Sequence, residues 1–187
     1  HRVRIAPGEQ VVVLGAGGGI GLAAVDVARA AGARVVAVAS SEDKRAAALA
    51  AGAAQAIGYG EGPGDLKDAI RAATGGGADV VVDPVGGPSA EGALRALAAG
   101  GRYCVLGFAG GEIPRLPANI VLLRNRTVVG VDWGDWLRTR PADAAALAAT
   151  MLDRVARGEL HPPVPALHPL DDAGRVLGLI AARAVTG

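Results

Sequence analysis

Short apolar runs alternate along the chain with longer stretches in which apolar and polar positions recur at helical spacing. Val11–Leu14, Val35–Ala39, Gln55–Ile57, Val80–Val82, Arg102–Leu106 and Thr127–Val131 predict strands. Between them, Gly21–Ala31, Asp65–Ala73 and Ala90–Ala99 predict helices, as does a segment capped by Ser40 or Ser41 and running to about Ala51. Glycines stop most of these: Gly32, Gly52 and the run Gly75–Gly77. Ser89 is placed to cap the helix at Ala90–Ala99, with Glu91 in its first turn. A short helical stretch follows near Asn119–Leu123. Pro141 opens a helix that runs to Arg157 and ends at Gly158, and a loop, "HPPVPALHP", leads to a last helix at Leu170–Ala182. Unbroken valine runs, rather than alternating ones, mark strands buried on both faces. The predicted fold is therefore α/β: a doubly wound parallel sheet of about six strands, with helices on both faces.

Composition narrows the class. The 187 residues fit one domain spanning 1–187. Of these, 51% are apolar and only 3% aromatic, so the core is aliphatic. A net charge of +1 is not the basic footprint of a nucleic-acid binder. No stretch approaches the roughly 20 apolar residues of a membrane span, so no membrane partner is expected. The single cysteine, Cys104 in "RYCVLGF", excludes an internal disulfide framework and suits a reducing, cytoplasmic compartment. It reads as a small buried hydrophobe. The chain opens at His1 and enters its first strand almost at once, the expectation for a piece of a larger protein.

The chemistry concentrates in the first unit, "VVVLGAGGGIGLAAVDVARAAGARVVAVASS". Strand, glycine turn, helix and strand begin a dinucleotide-binding fold. Glycines there permit a turn conformation awkward for side chains, a close approach to pyrophosphate and tight helix–strand packing. The helix N-terminus offers free N–H groups to phosphate. Read from Ala16, "AGGGIG" is A-x-G-x-x-G. Read from Gly15, the turn is G-x-x-x-G-x-G, a short-chain dehydrogenase pattern. A methyltransferase glycine loop is a third reading. A Tyr-x-x-x-Lys pair is missing after both Tyr59 and Tyr103, and no P-loop Gly-Lys-Ser/Thr is present. The second strand ends at Ala39, where an acid would bind a ribose diol. In "ASSEDKR" the hydroxyls of Ser40 and Ser41 and the cations Lys44 and Arg45 follow instead. These are partners for a 2′-phosphate and point to NADPH.

Taken in order, "AGGGIG", "ARVVAVASSEDK", "GAAQAIGY", "DVVVDPVGG", "GGRYCVLGFAGG" and "NRTVVGVDWG" resemble the cofactor domain of the zinc-independent medium-chain dehydrogenase/reductases, especially NADPH:quinone oxidoreductases. The resemblance spans nearly the whole chain and is specific as a set. It implies that a catalytic domain N-terminal to this segment is absent from the chain. It implies that Ala16, Gly17, Gly18, Gly19, Ile20 and Gly21 cradle the pyrophosphate. Ser40, Lys44 and Tyr59 would surround the 2′-phosphate, with Ser41 beside them. Pro84, Val85 and Gly86 would lie near the ribose, and Gly107, Phe108, Val131 and Asp132 at the nicotinamide end. Gly17 departs from the family, which often has alanine there. The family also implies a homodimer through the sheet edge near Thr127–Val131.

No residue is nominated as acid, base or nucleophile. His1, His161 and His168 are scattered, so no metal site is expected. Asp83 and Asp132 read as loop-capping strand-end aspartates, and Trp133 and Trp136 as packing residues. The implied activity is hydride transfer from NADPH to a small-molecule electron acceptor, a quinone or an α,β-unsaturated carbonyl. An enoyl reductase module of a fatty-acid or polyketide synthase would share this domain. A non-catalytic module sensing NADP(H) is the other class.

Overall fold

A computed structural model describes residues 2–60, 65–182 and 184–186; His1 lies outside them. The first half runs β1 (Gln10–Leu14), α1 (Gly19–Ala30), β2 (Arg34–Val38), α2 (Glu42–Ala50), β3 (Gln55–Ile57) and α3 (Asp65–Ala73). The second runs β4 (Ala78–Asp83), α4 (Ser89–Ala96), β5 (Leu97–Val105), α5 (Ala118–Leu122), β6 (Thr127–Gly130), α6 (Trp133–Thr139), α7 (Pro141–Ala156) and α8 (Ala173–Ala181). The strands form one six-stranded sheet in the order β3-β2-β1-β4-β5-β6. Every pairing is parallel; Val11, for example, lies between Val35 on β2 and Val80 on β4. The doubly wound α/β fold expected from the valine runs is the one observed.

Alternate residues of the central strands enter two cores. Val11, Val13, Val35, Ala37 and Val80 meet Leu22, Val25 and Ala28 of α1 and Ala48 of α2. Val12, Leu14, Val36, Val38 and Val81 meet Leu66 and Ile70 of α3, Ala90 and Leu94 of α4 and Ile120 of α5. Helices therefore cover both faces, and β1 and β4 part to opposite sides at their C-terminal ends. Open α/β sheets bind ligands at such a switch point. No helix among the described residues is long and apolar enough to cross a membrane.

Several boundaries differ from the sequence expectation. Ser89 is the first residue of α4 and Pro88 its N-cap. The helix ends at Ala96 rather than Ala99, because Leu97 turns extended, is fully buried and pairs with Ala78. The buried Arg126 then takes the freed carbonyls, donating to Leu97 O at 2.6 Å and to Arg95 O at 3.1 Å. Helix α1 begins at Gly19, ahead of Gly21. Helix α8 begins at Ala173, after a 3-10 turn at Leu170–Asp172. Helix α6 was not anticipated. Its signal was the pair Asp132 and Asp135: Asp132 Oδ1 accepts from Asp135 N at 2.9 Å and caps the helix.

Candidate functional site

The C-terminal ends of β1, β2 and β4 open into a cleft of about 700 Å³. Four glycines around it serve different ends. Gly15 has φ +60, the left-handed region, and a Cβ there would sit 2.6 Å from Val85 Cγ2. At Gly21 a Cβ would lie 2.2 Å from Gly15 O and 2.6 Å from Ala16 Cα, so only glycine lets α1 pack on the end of β1. At Gly18 a Cβ would find only Gly15 O, at 3.6 Å, which leaves that position open to the cleft. At Gly17 it would strike the stem of Lys44, with Cβ at 2.5 Å. The resemblance gives alanine at this position in many family members, but here the lysine fills that space.

Helix α1 starts without a side-chain cap and without an acid in its first turn. Its Gly19, Ile20 and Gly21 line the cleft. The first N–H groups of a helix have no intrahelical acceptor, and the dipole end is positive. This end of α1 suits a phosphate.

The structure brings Gly17 through Gly21, Ser40, Lys44, Tyr59, Pro84, Val85 and Gly86 to this one cleft. Ala16 is not on its wall: it is fully buried, and its N–H donates to Val38 O at 3.0 Å, extending the β1–β2 ladder beneath the turn. Ser41 also stands back. Its Oγ accepts from Lys44 N at 3.4 Å and caps α2. Gly87, Pro88, Ala109 and Gly110 line the cleft although the sequence did not single them out, and so do Ile180 of α8 and Val185; Gly15, Ala39 and Ser89, singled out for the turn, the strand end and a helix cap, line it too. The β4–α4 turn was legible as a continuation of "DPVGG". Ile180 and Val185 carried no local signal.

Two phenols hold the two turns that form the cleft. Tyr59 accepts a hydrogen bond from Gly15 N–H at 2.7 Å, fixing the glycine turn. Tyr103 acts through Asp83. Its hydroxyl donates to Asp83 Oδ2 at 2.5 Å, while Oδ1 accepts from Val85 N at 2.8 Å and Gly86 N at 2.9 Å. Asp83 is 1% exposed and Tyr103 fully buried. Burial, and then the neighbouring Asp83 charge, push the Tyr103 phenol far above its ordinary range, so it stays protonated and donates. Asp83 thus caps its loop, as strand-end aspartates do.

Gly107, Phe108, Val131 and Asp132 lie elsewhere, in a second cleft of about 810 Å³ at the ends of β5 and β6. Trp133 and Trp136 stack at 5.2 Å on its rim. Cys104 lines it too, 6% exposed, and burial pushes its thiol up, away from the reactive thiolate. Among the described residues no group of three His, Cys, Asp or Glu could hold a metal. His161 is anchored by its backbone, which donates to the buried Asp26 Oδ2 at 2.5 Å, and the His168 side of that loop is exposed.

A parallel sheet with its glycine turn at the switch point defines a dinucleotide-binding domain of the dehydrogenase/reductase class. The chain belongs to the zinc-binding dehydrogenase family of medium-chain dehydrogenase/reductases, whose model matches residues 19–151. It is similar to quinone oxidoreductase-like protein 2 of Rattus norvegicus, 38% identical over 100% of this chain and 53% of that protein. Among solved structures it is similar to the quinone oxidoreductase of Thermus thermophilus, determined also in complex with NADPH. That match is 36% identical with TM-score 0.80, over 97% of this chain and 57% of that one. An enoyl reductase domain of a polyketide synthase matches at 32% identity and TM-score 0.74, over 87% of this chain and 90% of that one. The chain spans about half the length of the curated relatives it matches first, 53% for the rat protein.

Proposed function

We propose that this chain is the NADPH-binding domain of an oxidoreductase that passes hydride to a quinone or an α,β-unsaturated carbonyl. The mouth of the first cleft carries the reading. Ser40 and Lys44 line it, and Ala39 stands where an acid would grip a ribose diol. A carboxylate would repel a 2′-phosphate; a hydroxyl and an ammonium attract it.

In this reading Gly17–Gly21 and the uncapped start of α1 take the pyrophosphate, with Ala16 supporting the turn from below. Lys44 and Ser40 take the 2′-phosphate beside Tyr59, and Ser41 orders the turn that carries Lys44. Pro84, Val85 and Gly86 border the ribose. Gly107, Phe108, Val131 and Asp132 border the far end, where apolar walls exclude water. When bound, the nicotinamide supplies the hydride. The chain binds, orients and dries that group; no side chain of it is assigned as acid, base, nucleophile or zinc ligand. The proton for the reduced acceptor comes from solvent or from the part of the relatives that this chain does not span.

The enoyl reductase reading is favoured by one observation, the match that covers nine-tenths of a polyketide synthase domain. It differs only in the acceptor. A homodimer through β6 and a cytoplasmic setting complete the proposal; the exposed edge of β6 supports the first and the buried lone thiol the second.

Calorimetric titration of NADPH and NADH into the wild type and Lys44→Ala tests it. NADPH is expected to bind more tightly, with the preference falling roughly tenfold or more in the variant, the worth of one charge-assisted contact. Equal affinities in the wild type, or no binding of either nucleotide, refute it.

A further inference from the structure

The chain holds one phenylalanine and two tryptophans, and all three line the second cleft. Neither buried cluster contains any of them. Phe108 is 41% exposed and Trp133 51%. Trp136 is half-buried and stacks on Trp133, with 28° between the ring planes. The sequence reads the tryptophans as packing residues. They do pack, but on each other, and half of Trp133 stays open to solvent. Single exposed apolar residues need no explanation, whereas aromatics gathered at a cleft mark a contact surface. Phe108 abuts the turn that borders the first cleft, since a Cβ on Gly86 would come 2.9 Å from its Cδ1.

The charged side chains on the wall of this cleft are engaged within the protein. Arg2 donates from Nε and Nη2 to Gly130 O, both at 3.3 Å. Asp132 accepts from Asp135 N, and Asp135 accepts from Arg138 at 2.5 Å. Cys104 is buried and its thiol pushed up, so the wall offers no ready nucleophile to an electrophilic ligand. What remains for a ligand is aromatic and aliphatic surface.

We propose that Trp133 and Trp136, with Phe108, are specificity-determining residues that select a flat, electron-poor ring as acceptor, a quinone rather than an enoyl thioester. This rests on the oxidoreductase reading above, which leaves the two acceptors open. A quinone presents a whole ring face to an electron-rich indole. An enoyl thioester presents a narrow conjugated strip on a flexible arm, which stacks poorly and must be ordered on binding.

The test is calorimetry on the chain, without nucleotide, using duroquinone and the crotonyl thioester of N-acetylcysteamine. Duroquinone has no ring C–H left and so adds to no thiol. Wild type is expected to bind duroquinone about tenfold or more tightly than the thioester, as one good stacking contact allows. Tryptophan fluorescence should be quenched over the same concentration range, since Trp133 and Trp136 are the only tryptophans. Trp133→Leu is expected to weaken duroquinone about tenfold and the thioester by less than about threefold, while Trp133→Phe keeps most of the affinity. Trp136→Leu takes its place should Trp133→Leu not fold. The proposal is overturned if the thioester binds as tightly as the quinone or more so, which favours the enoyl reductase. It is also overturned if duroquinone shows no saturable binding, or if the variant weakens both probes equally, the mark of a purely structural role. Failure of wild type to bind NADPH overturns the function reading instead, and the nucleotide-free titration still reports what this cleft prefers.

Discussion

Tyr103→Phe removes one oxygen from the base of the cleft and leaves the ring packing intact. The lost group is the partner of Asp83 Oδ2, 2.5 Å away in a site where the phenol is fully buried and the carboxylate 1% exposed. Oδ1 keeps its bonds from Val85 N and Gly86 N. Phe fills the same volume, so no cavity forms, and the cost is that of a hydrogen bond to a charged group whose partner stays buried. That is about 2–3 kcal/mol. For a chain of this size it corresponds to a melting temperature lower by ~4–12 °C. Circular dichroism melts at neutral pH read it directly.

A pH series adds an independent sign. Burial, and then Asp83, hold the folded Tyr103 pKa far above its ordinary 10.0. Below pH 10 neither state releases the proton, and the contribution to stability is fully present. Above it the unfolded chain ionises and the folded one does not, so stability falls by about 1.4 kcal/mol per pH unit from this residue alone. The Phe variant loses that slope. An unchanged melting temperature together with an unchanged alkaline slope would refute the buried donor–carboxylate pair.

Two further outcomes follow from the packing. Gly21→Ala drives a methyl into Gly15 O and Ala16 Cα, backbone atoms that cannot swing aside, and should cost about 3 kcal/mol or more. Gly174→Ala, with nothing within 4 Å, is the control, and equal melts for the two would contradict the close approach of α1 to β1. Val128→Lys on the exposed edge strand β6 should convert a homodimer to monomer in sedimentation; a dimer that survives the charge does not pair through that edge.

The order of elements was legible because the strands at the centre of this sheet are buried on both faces, and Val11–Leu14, Val35–Val38 and Val80–Val82 announce that without tertiary help. Helix ends were less so. Ser41 caps by a bond within its own turn and was readable, whereas α4 stops where Arg126, far along the chain, collects its last carbonyls. The cap of α6 was local and was overlooked.

The sequence alone determined a parallel α/β sheet, a glycine turn at its first strand and a second strand that ends without an acid, since each is a matter of residue type at a short spacing. Only the tertiary structure decided what those residues touch. It withdrew Ala16 into the core, split the expected site between two clefts, and brought Tyr59 to Gly15 and Lys44 to Gly17 across loops. The physical reason is range: spacing fixes a residue's own element, but contact across a sheet's switch point depends on how two elements pack, and no local pattern encodes that distance.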